Sequence, residues 1–598
     1  MEDEQRGWRR IKNIKIDRKR FARRMRKAEV ATQRHAHRFI LRRLDNARLV
    51  VREITAWLLL IGLLIAGLGL QLIWGQQTYT RSAAQPGGLY VEGALGPINS
   101  LNPLFAATSA ESSVARLTFS SLYSYDTTGT LHTDLATAMQ VDSTHQIYTV
   151  SIRNNARWQD GEPLTAQDVV FTINLIKNPA VRSPLRINWL DVSASAANST
   201  TVQFKLPAPY AAFPYALTFP ILPQHLLKDI TPAAVRESAY SQAPVGSGPF
   251  ILRRLQNADS VSHYQNVHFV ANTEYYAGAP KLSRFELHAY PDETSLVNAA
   301  NVGELSGATD ISVVSLNKIN RSQFTVTPQA IDSGVYLLFN NSNPILSDVA
   351  VRRALQVGTD TAAIRSALIG GVLPLDSPLL SGQVTGNDVP HAPAYNLKLA
   401  GEMLDKAGWV MVGSYRVKDN HKLELTITTT NDEEFNAVLA QIKDQWRSLG
   451  VKVNTNVVDT SSATSTFVQN TLQGRNFDIL LYELAIGADP DVYAYWHSSQ
   501  IGVQGYNFAN YSNTLSDASL ATARTQLDEQ LRNAKYKQFV QQWLSDAPAI
   551  GLYQPVVEYL TSKGVSAVNT GTHLVTEADR YANVGDWTVT TGTVYKTP

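Results

Sequence analysis

A continuous apolar run from Ile54 to Trp74 constrains this chain more than any other feature. Its residues, ITAWLLLIGLLIAGLGLQLIW, include no charged side chain. As a helix with a rise of about 1.5 Å per residue, the run covers roughly 30 Å, the thickness of a bilayer's hydrocarbon core. The sequence therefore predicts one transmembrane helix, with the segments before and after it on opposite sides of a membrane.

The segments on the two sides of this run differ in charge. Residues 1–53 carry eighteen Lys and Arg against seven Asp and Glu, a net charge of +11, so the total of +2 leaves −9 for the rest of the chain. Basic residues beside a first membrane helix are retained in the cytoplasm. We expect a cytoplasmic amino terminus and an extracytoplasmic segment from Gln76 to Pro598.

A cleaved signal peptide is the competing interpretation of the apolar run. Ser82, Ala83 and Ala84 offer small residues to a signal peptidase. Signal peptides have a shorter charged segment and an apolar core of about 7–15 residues. An uncleaved membrane anchor is therefore favoured.

The basic segment has two interpretations of its own. Its RKRFARRMRK sequence, residues 18–27, could neutralise nucleic-acid phosphates, but no zinc-ligand spacing or aromatic stacking pattern accompanies it. Contact with anionic lipid is preferred, with Phe21, Met25 and Phe39 entering the membrane interface. We expect no nucleic-acid partner.

The chain contains no cysteine. Neither a disulfide nor a lipid-modified cysteine can support the exported segment, so the apolar helix must hold it to the membrane. More than 500 exported residues bury ample core without such support, and they should form two or more lobes.

Strand and helix patterns alternate beyond a spacer at residues 75–87. Residues 433–449 place apolar side chains three and four positions apart and end at Gly450, which predicts a helix. This order of strand, helix and strand is typical of an α/β fold. The predicted strands are 89–91, 148–152, 201–206, 423–428 and 451–457.

A strong local signal lies in RWQDGEPLTAQDVVFTINLI, residues 157–176. Asp160 and Gly161 form a turn dipeptide, and Thr165 with Asp168 forms a capping box at the start of a helix. The pattern predicts a strand, a tight turn and a helix. Nothing in it requires chemistry.

WQDGEPLTAQDVVF resembles the signature of the family 5 extracellular solute-binding proteins, the oligopeptide, dipeptide and nickel class that delivers ligands to ABC importers. Six further segments resemble that family in the same order, and together the motifs extend over residues 89–565. Those segments are INSLNPLF at 98–105, VGSGPFIL at 245–252, FNNSNPILSDVAVRRAL at 339–355, FDILLYELAIGADPDVYAYWHSSQ at 477–500, YSNTLSDASL at 511–520 and DAPAIGLY at 546–553.

The resemblance implies a two-lobed α/β fold of the periplasmic-binding-protein type, with an extra subdomain and a ligand enclosed by hinge closure. It also implies an ABC permease and an ATPase as partners. The implied segments are a cytoplasmic tail at 1–53, the transmembrane helix at 54–74, the spacer at 75–87, lobe I at 88–122, 243–335 and 546–598, an inserted subdomain at 123–242, and lobe II at 336–545.

Several motif residues have structural interpretations. We expect Trp158 to be a packing aromatic beside its turn, because large aromatic side chains are mostly buried. Ser347 and Asp348 should start a helix. Arg352 and Arg353 should lie on that helix's surface.

The segment from Tyr482 to Trp496 is the favoured ligand-contact region. A binding cleft needs a few oriented polar groups among aromatic walls, and this segment offers both around Pro490. The candidate ligand-binding residues are Tyr482, Glu483, Asp489, Asp491, Tyr495, Trp496, Tyr511 and Glu111.

The resemblance favours a peptide ligand, but the sequence departs from the peptide binders. Such relatives hold the ligand's ammonium with an Asp shortly before the Asp-Pro step, where this chain has Ala485, Ile486 and Gly487. Glu483 is the carboxylate on the preceding strand. An oligosaccharide, an opine or another polar solute stays open, with Trp496 as a platform for a sugar.

No catalytic, metal or cofactor site is predicted. Gly246-Ser247-Gly248 lacks the spacing of G-x-S-x-G, and the chain has neither H-E-x-x-H nor a phosphate-binding G-x-x-x-x-G-K-[ST]. Transport energy must therefore come from a partner ATPase. A hydrolase is a distant alternative, and a tethered signalling receptor would use the same cleft.

Overall fold

The computed structural model of the protein describes residues 18–35, 50–257, 264–368, 370–386, 388–460, 465–569, 571 and 573–595. These residues form two compact units. The smaller unit comprises the residues up to Ala83 and those from Gly592 onward, and the larger unit is Ala84–Thr591.

Helices and strands alternate through the larger unit. The described helices are α1 Arg18–His35, α2 Val51–Tyr79, α3 Ser109–Thr118, α4 Ala166–Lys177, α5 Gln224–Leu227, α6 Ala239–Gln242, α7 Glu293–Asn301, α8 Val313–Leu316, α9 Val349–Val357, α10 Thr361–Ala367, α11 Leu397–Lys406, α12 Glu433–Ser448, α13 Tyr493–Trp496, α14 Thr514–Thr525 and α15 Glu529–Asp546. The described strands are β1 Thr80–Gln85, β2 Leu89–Leu95, β3 Tyr123–Tyr125, β4 Leu131–Thr133, β5 Ala136–Val141, β6 Ile147–Ile152, β7 Ser193–Asn198, β8 Thr201–Lys205, β9 Phe250–Gln256, β10 Gln265–Ala271, β11 Arg284–Tyr290, β12 Gly307–Ala308, β13 Phe324–Ile331, β14 Ser333–Phe339, β15 Leu373–Pro374, β16 Val410–Val412, β17 Tyr415–Lys418, β18 His421–Lys422, β19 Glu424–Thr430, β20 Lys452–Val458, β21 Ile479–Ala485, β22 Ala549–Gln554, β23 Val556–Ser562, β24 His573–Leu574 and β25 Thr590–Tyr595.

Helix α2 contains the predicted apolar run. Val51–Trp74 is long and apolar enough to cross a membrane, a property that a signal sequence shares. The predicted spacer at 75–87 is wrong, because α2 continues to Tyr79 and β1 follows it and pairs with β25. Proline first appears at Pro86, so nothing before that residue prevents regular structure.

The first large sheet has eight strands in the order β24-β13-β23-β12-β2-β11-β10-β9. Strand β2 runs parallel to both β11 and β12. One buried hydrophobic cluster on this sheet includes Tyr90, Phe285, Leu287 and Trp587. Parallel strands buried in this way are typical of α/β folds, as the alternating patterns predicted.

A four-stranded antiparallel sheet, β5-β6-β8-β7, lies in the predicted inserted subdomain. Trp158 is 2% exposed in its core, which confirms the prediction that it is a packing residue. The capping box of α4 is also present, because the Asp168 carboxylate accepts a hydrogen bond of 2.8 Å from the Thr165 amide.

The chain enters and leaves this subdomain at adjacent points. The Gly248 amide donates to the Thr118 carbonyl over 2.8 Å, and the Ser120 hydroxyl donates to the Ser247 carbonyl over 3.1 Å. A Cβ atom at Gly246 would lie 2.0 Å from the Thr118 carbonyl oxygen. Glycine is therefore required where these two crossings pass each other.

The second large sheet has six strands in the order β15-β22-β14-β21-β19-β20. Strands β19 and β20 are parallel and α12 connects them, so the predicted strand, helix and strand are confirmed. Alternate residues of β14 enter two different hydrophobic clusters, with Leu337 in one and Leu338 in the other. The sheet is therefore covered on both faces.

The chain crosses between the two large sheets twice, once at Asp332 and once at Pro555. β13 pairs in the first sheet and β14 in the second, while β22 pairs in the second and β23 in the first. The predicted lobe boundaries at 335/336 and 545/546 differ from these crossings by about three and nine residues, because the apolar strands β14 and β22 pair with each other. The other domain boundaries stay predictions.

Helix α9 starts as predicted, since the Asp348 carboxylate accepts a hydrogen bond of 2.9 Å from the Ala350 amide. Arg353 is exposed, but the predicted surface position of Arg352 is wrong. Arg352 is 7% exposed and its guanidinium donates to four carbonyls, those of residues 346, 347, 546 and 547. It satisfies carbonyls that would otherwise lack partners at the end of α15.

Candidate functional site

A cleft lies between the inserted subdomain and the two large sheets. One recess, with a volume of about 470 Å³, is walled by Leu104, Phe119, Trp189 and Phe219 and rimmed by Asp579 near the end of the chain. Aromatic and aliphatic walls with a few polar groups are typical of small-molecule sites. The residues that line this recess come from distant parts of the sequence.

A second recess of about 340 Å³ faces the second sheet. Tyr210 and Phe213 of the inserted subdomain line one side, and Gly487, Asp489 and Asp491 line the other. The two recesses are adjacent, because they share five lining residues. The shared residues are Tyr125, Asn188, Trp189, Tyr215 and Ala216.

A larger cavity, of about 640 Å³, lies elsewhere. Its lining residues fall within 356–395 and at 540, 550 and 551, all in the second lobe. A movement of one lobe against the other would leave its walls unchanged. We therefore place the candidate site in the smaller cleft, which hinge closure would enclose.

Asp489 is held by Arg532 of α15. The guanidinium donates to both carboxylate oxygens over 2.8 and 2.5 Å, and the two side chains are 7% and 15% exposed. Such a bidentate pair has fixed geometry and leaves little charge for a ligand. The structure brings Asp489 to the cleft wall but pairs it internally.

Asp491 pairs with Arg524 of α14 over 3.2 Å, between Nε and Oδ2. The Arg524 guanidinium lies 4.8 Å from the ring centre of Tyr210 and 4.6 Å from that of Tyr493. The Arg524 carbonyl also accepts a hydrogen bond of 2.9 Å from the Ala211 amide. Burial raises the pKa of Asp491, although the Arg524 charge opposes that shift. Arg524 thus joins the inserted subdomain to the second lobe.

Glu483 lies on β21 beside the crossing at Asp332. Its Oε1 accepts a hydrogen bond of 2.5 Å from the Ser333 hydroxyl, and within the described residues no cationic group is in ion-pair distance of it. The side chain is exposed yet partly enclosed by protein, and this enclosure raises its pKa, with a further contribution from Glu577. Glu577 is next to Thr576, which lines the first recess.

The two candidate tyrosines, Tyr482 and Tyr495, pack on the other face of the second sheet from the one that Glu483 shares with Leu481. The Tyr482 ring centre is 5.8 Å from that of Phe508 and 6.2 Å from that of Phe467. The Tyr495 hydroxyl donates to the Ala485 carbonyl over 2.6 Å, and burial raises its pKa to about 12. Both rings are partly buried, so ligand contact by either stays a prediction.

The three remaining candidates occupy internal positions. Trp496 is 1% exposed and packs against Tyr336 and Trp543, so it cannot offer a platform to a sugar. The Tyr511 hydroxyl donates to Asp546 over 2.7 Å inside the core. Glu111 accepts hydrogen bonds from four amides, those of residues 99, 100, 107 and 108.

Sequence reasoning missed the aromatic wall supplied by the inserted subdomain. Tyr125 and Trp189 line both recesses, but neither belongs to a segment with a binding pattern. The two tyrosines of the YSY sequence at 123–125 are the one local signal that could have indicated it. Among the described residues, no three His, Cys, Asp or Glu side chains are grouped so that they could hold a metal ion.

Comparison with known families gives a match over most of the exported segment. The sequence profile of "Bacterial extracellular solute-binding proteins, family 5 Middle" matches residues 130–505. The oligopeptide-binding protein AppA of Bacillus subtilis is 27% identical over 526 residues, which cover 84% of this chain and 94% of that protein.

Solved structures resemble the chain over similar lengths. NikZ from Campylobacter jejuni, in complex with Ni(L-His), superposes with a TM-score of 0.70 at 25% identity, covering 84% of this chain and 99% of that one. AppA from Bacillus subtilis, in complex with a nonapeptide, gives a TM-score of 0.68 at 23% identity, covering 85% and 100%. These similarities confirm the predicted two-lobed α/β fold.

Proposed function

Because the chain belongs to the family 5 bacterial extracellular solute-binding proteins, as its motifs predicted, we propose that it captures an oligopeptide for an ABC importer. A binding role is common to the relatives named above. Capture would take place outside the cytoplasm, and a permease and an ATPase would complete the importer. Under this proposal the protein itself performs no catalysis.

The proposal depends on closure of the cleft around its ligand. Asp332 and Pro555 are neighbouring crossings between the sheets, since the Ile331 amide donates to the Pro555 carbonyl over 3.1 Å. Two adjacent single-residue connections allow one lobe to rotate against the other. A ligand that touches both lobes only in the closed state would shift the population toward closure.

Glu483 lines neither recess, but it lies beside the crossing at Asp332 and is the residue that favours a cationic group on the ligand. The acids at 489 and 491 are already paired with Arg532 and Arg524, whereas among the described residues Glu483 has a hydrogen bond from the Ser333 hydroxyl and no ion pair. A peptide's terminal ammonium would supply the missing charge next to the hinge. The sugar alternative loses Trp496 as a platform, because that ring is in the core.

The first experiment identifies small molecules that copurify with the exported segment, by mass spectrometry after denaturation. Peptides of a few residues are the expected result, and synthetic copies should bind with measurable heat in calorimetry. Recovery of an oligosaccharide, an opine or a metal complex without peptide would contradict the proposed ligand class.

Small-angle scattering tests closure separately from ligand identity. We expect the radius of gyration of the fragment from Gln76 onward to decrease on saturation with a copurified ligand. An unchanged value at saturation would contradict hinge closure while leaving the ligand assignment intact.

We further propose that α2 stays uncleaved and anchors the chain with its amino terminus in the cytoplasm. The support is the uncharged run behind a segment with a net charge of +11. Cell fractionation should find the protein in the membrane with the basic segment and α2 still attached. A soluble product that starts near Gln85 would instead indicate signal-peptidase cleavage.

A further inference from the structure

Helix α1, Arg18–His35, is a strongly basic element that solute capture does not use. It carries eight Lys and Arg against Glu29 as its single acid, a net charge of +7. All its residues from Ala22 to His35 are exposed. A helix with this charge and no covering element requires a partner of opposite sign, or it remains a solvated rod.

The charges of α1 are distributed unevenly around its axis. At about 100° per residue, Met25, Ala28 and Thr32 fall within an arc of about 60°. Arg23, Lys27 and Arg34 fall on the opposite side. Met25 is 59% exposed, so none of the described residues covers the centre of this narrow apolar strip. An apolar strip opposite a basic face is typical of helices that lie in a membrane interface.

The position of α1 in the chain keeps it near a bilayer. It ends at His35 and the apolar helix α2 begins at Val51. Fifteen intervening residues extend at most about 50 Å, so α1 cannot leave the neighbourhood of the membrane that α2 enters. Tethering of this kind raises the effective concentration of the helix at the lipid surface.

We propose that α1 binds anionic phospholipid headgroups and lies in the interface of the bilayer that α2 crosses. The strip at Met25, Ala28 and Thr32 faces the acyl chains, and the flanking basic side chains contact lipid phosphates. Anionic lipid is favoured over nucleic acid because the apolar strip suits a bilayer and the tether places the helix there. This inference does not depend on the identity of the captured solute.

Single-cysteine labelling tests the proposal cleanly, because the natural chain has no cysteine. The full-length protein carries an environment-sensitive fluorophore at Met25→Cys or at Val30→Cys, which lies about 140° away around the helix. Both variants are reconstituted into nanodiscs of phosphatidylcholine alone or with 30% phosphatidylglycerol, about a third of the lipid being anionic. A spin-labelled lipid serves as quencher.

We expect quenching at position 25 to exceed that at position 30 by about threefold in anionic nanodiscs, and to fall when salt is raised to about 1 M. Equal quenching at the two positions, or quenching independent of anionic lipid, would overturn the proposal. So would a short RNA that displaces the label from anionic nanodiscs, since that result assigns the helix to nucleic acid.

Two variants, each lacking four positive charges, supply a matched comparison. Arg23→Gln, Arg24→Gln, Arg26→Gln and Lys27→Gln together should abolish the anionic-lipid dependence, and glutamine preserves helix propensity. The same number of charges removed at Arg9, Arg10, Arg42 and Arg43 should leave it largely intact. An equal loss in both variants would show that the tail's total charge, rather than α1, is responsible.

Discussion

Asp332 and His573 form an ion pair at the point where the chain passes between its two large sheets. His573 Nε2 donates to Asp332 Oδ1, and the Asp332 carbonyl accepts hydrogen bonds of 2.9 Å from the amides of Ile486 and Gly487. The Asp332 side chain is 1% exposed, whereas that of His573 is 40% exposed. Asp332 thus contacts His573 of β24 in the first sheet and the loop at 486–487, which lines the second recess.

This pair predicts a pH dependence of stability. The Asp332 hydrogen bond raises the pKa of His573. A raised pKa in the folded state means that the contribution is complete below the unfolded value of about 6.5 and is lost as pH rises through the folded value. His573→Gln should therefore cost on the order of 1–2 kcal/mol near pH 5 and less at pH 9, the partial exposure of His573 keeping the figure low.

Urea denaturation of the fragment from Gln76 onward, followed between pH 5 and pH 9, measures this difference. His421→Gln, at an exposed position on β18, should follow the wild-type curve and serves as the control. If His573→Gln and wild type lose stability in parallel as pH rises, the ion pair does not form in solution.

Arg352 and Arg353 are neighbours with opposite roles, and this contrast yields a second prediction. Arg352→Met leaves four carbonyls, including those of the buried residues 346 and 547, without their donor and should lower the free energy of unfolding by about 3 kcal/mol. Arg353→Met, on the exposed side of α9, should change it by no more than about 0.5 kcal/mol. Equal effects in urea denaturation would contradict the buried position of Arg352.

The sequence predicted elements that depend on local physics. Apolar spacing placed the helix at 433–449, and α12 occupies Glu433–Ser448, with each neighbouring strand beginning one residue later than predicted. The capping box at Thr165 depends on two residues three positions apart, so it too was visible. The order of the family motifs over most of the chain was sufficient to predict the two-lobed fold.

The site could be predicted only in part, because its charges are paired across long stretches of sequence. Asp489 and Arg532 are 43 positions apart, and Asp332 and His573 are 241 apart. A single sequence shows that a carboxylate exists but not which cation reaches it. For the same reason Asp489, Trp496 and Tyr511 were plausible ligand contacts before their internal partners were known.

The ion pair between Asp489 and Arg532 predicts that Asp489, although it lies in the cleft wall, mainly stabilises the fold. Asp489→Asn would leave the Arg532 charge uncompensated in a mostly buried position and should cost about 3 kcal/mol of stability. Affinity for a copurified ligand, measured by calorimetry well below the melting temperature, should change by less than about twofold. A large loss of affinity with unchanged stability would instead assign Asp489 to the ligand.

Double-mutant analysis separates this pair from its surroundings. Arg532→Gln in the Asp489→Asn background removes the remaining buried charge, so the double variant should be less destabilised than the sum of the two single variants. Additive losses would mean that the two side chains do not interact.

Glu483 carries the prediction that bears most directly on ligand chemistry. If its carboxylate pairs with a terminal ammonium, Glu483→Gln should weaken binding of a copurified peptide by at least about tenfold, or roughly 1.4 kcal/mol. The same peptide with an acetylated amino terminus should bind both proteins equally weakly. Glu402→Gln, at an exposed position on helix α11, is the matched control.

The pH dependence of binding gives an independent test of the same carboxylate. Partial enclosure raises the pKa of Glu483, so acidification neutralises it earlier than an ordinary glutamate. Since only the ionised form attracts an ammonium, wild-type affinity should fall as pH decreases through this raised value, while the affinity of Glu483→Gln should stay flat. Parallel pH profiles for the two proteins would remove Glu483 from the binding site and would favour a neutral, hydrogen-bonding solute.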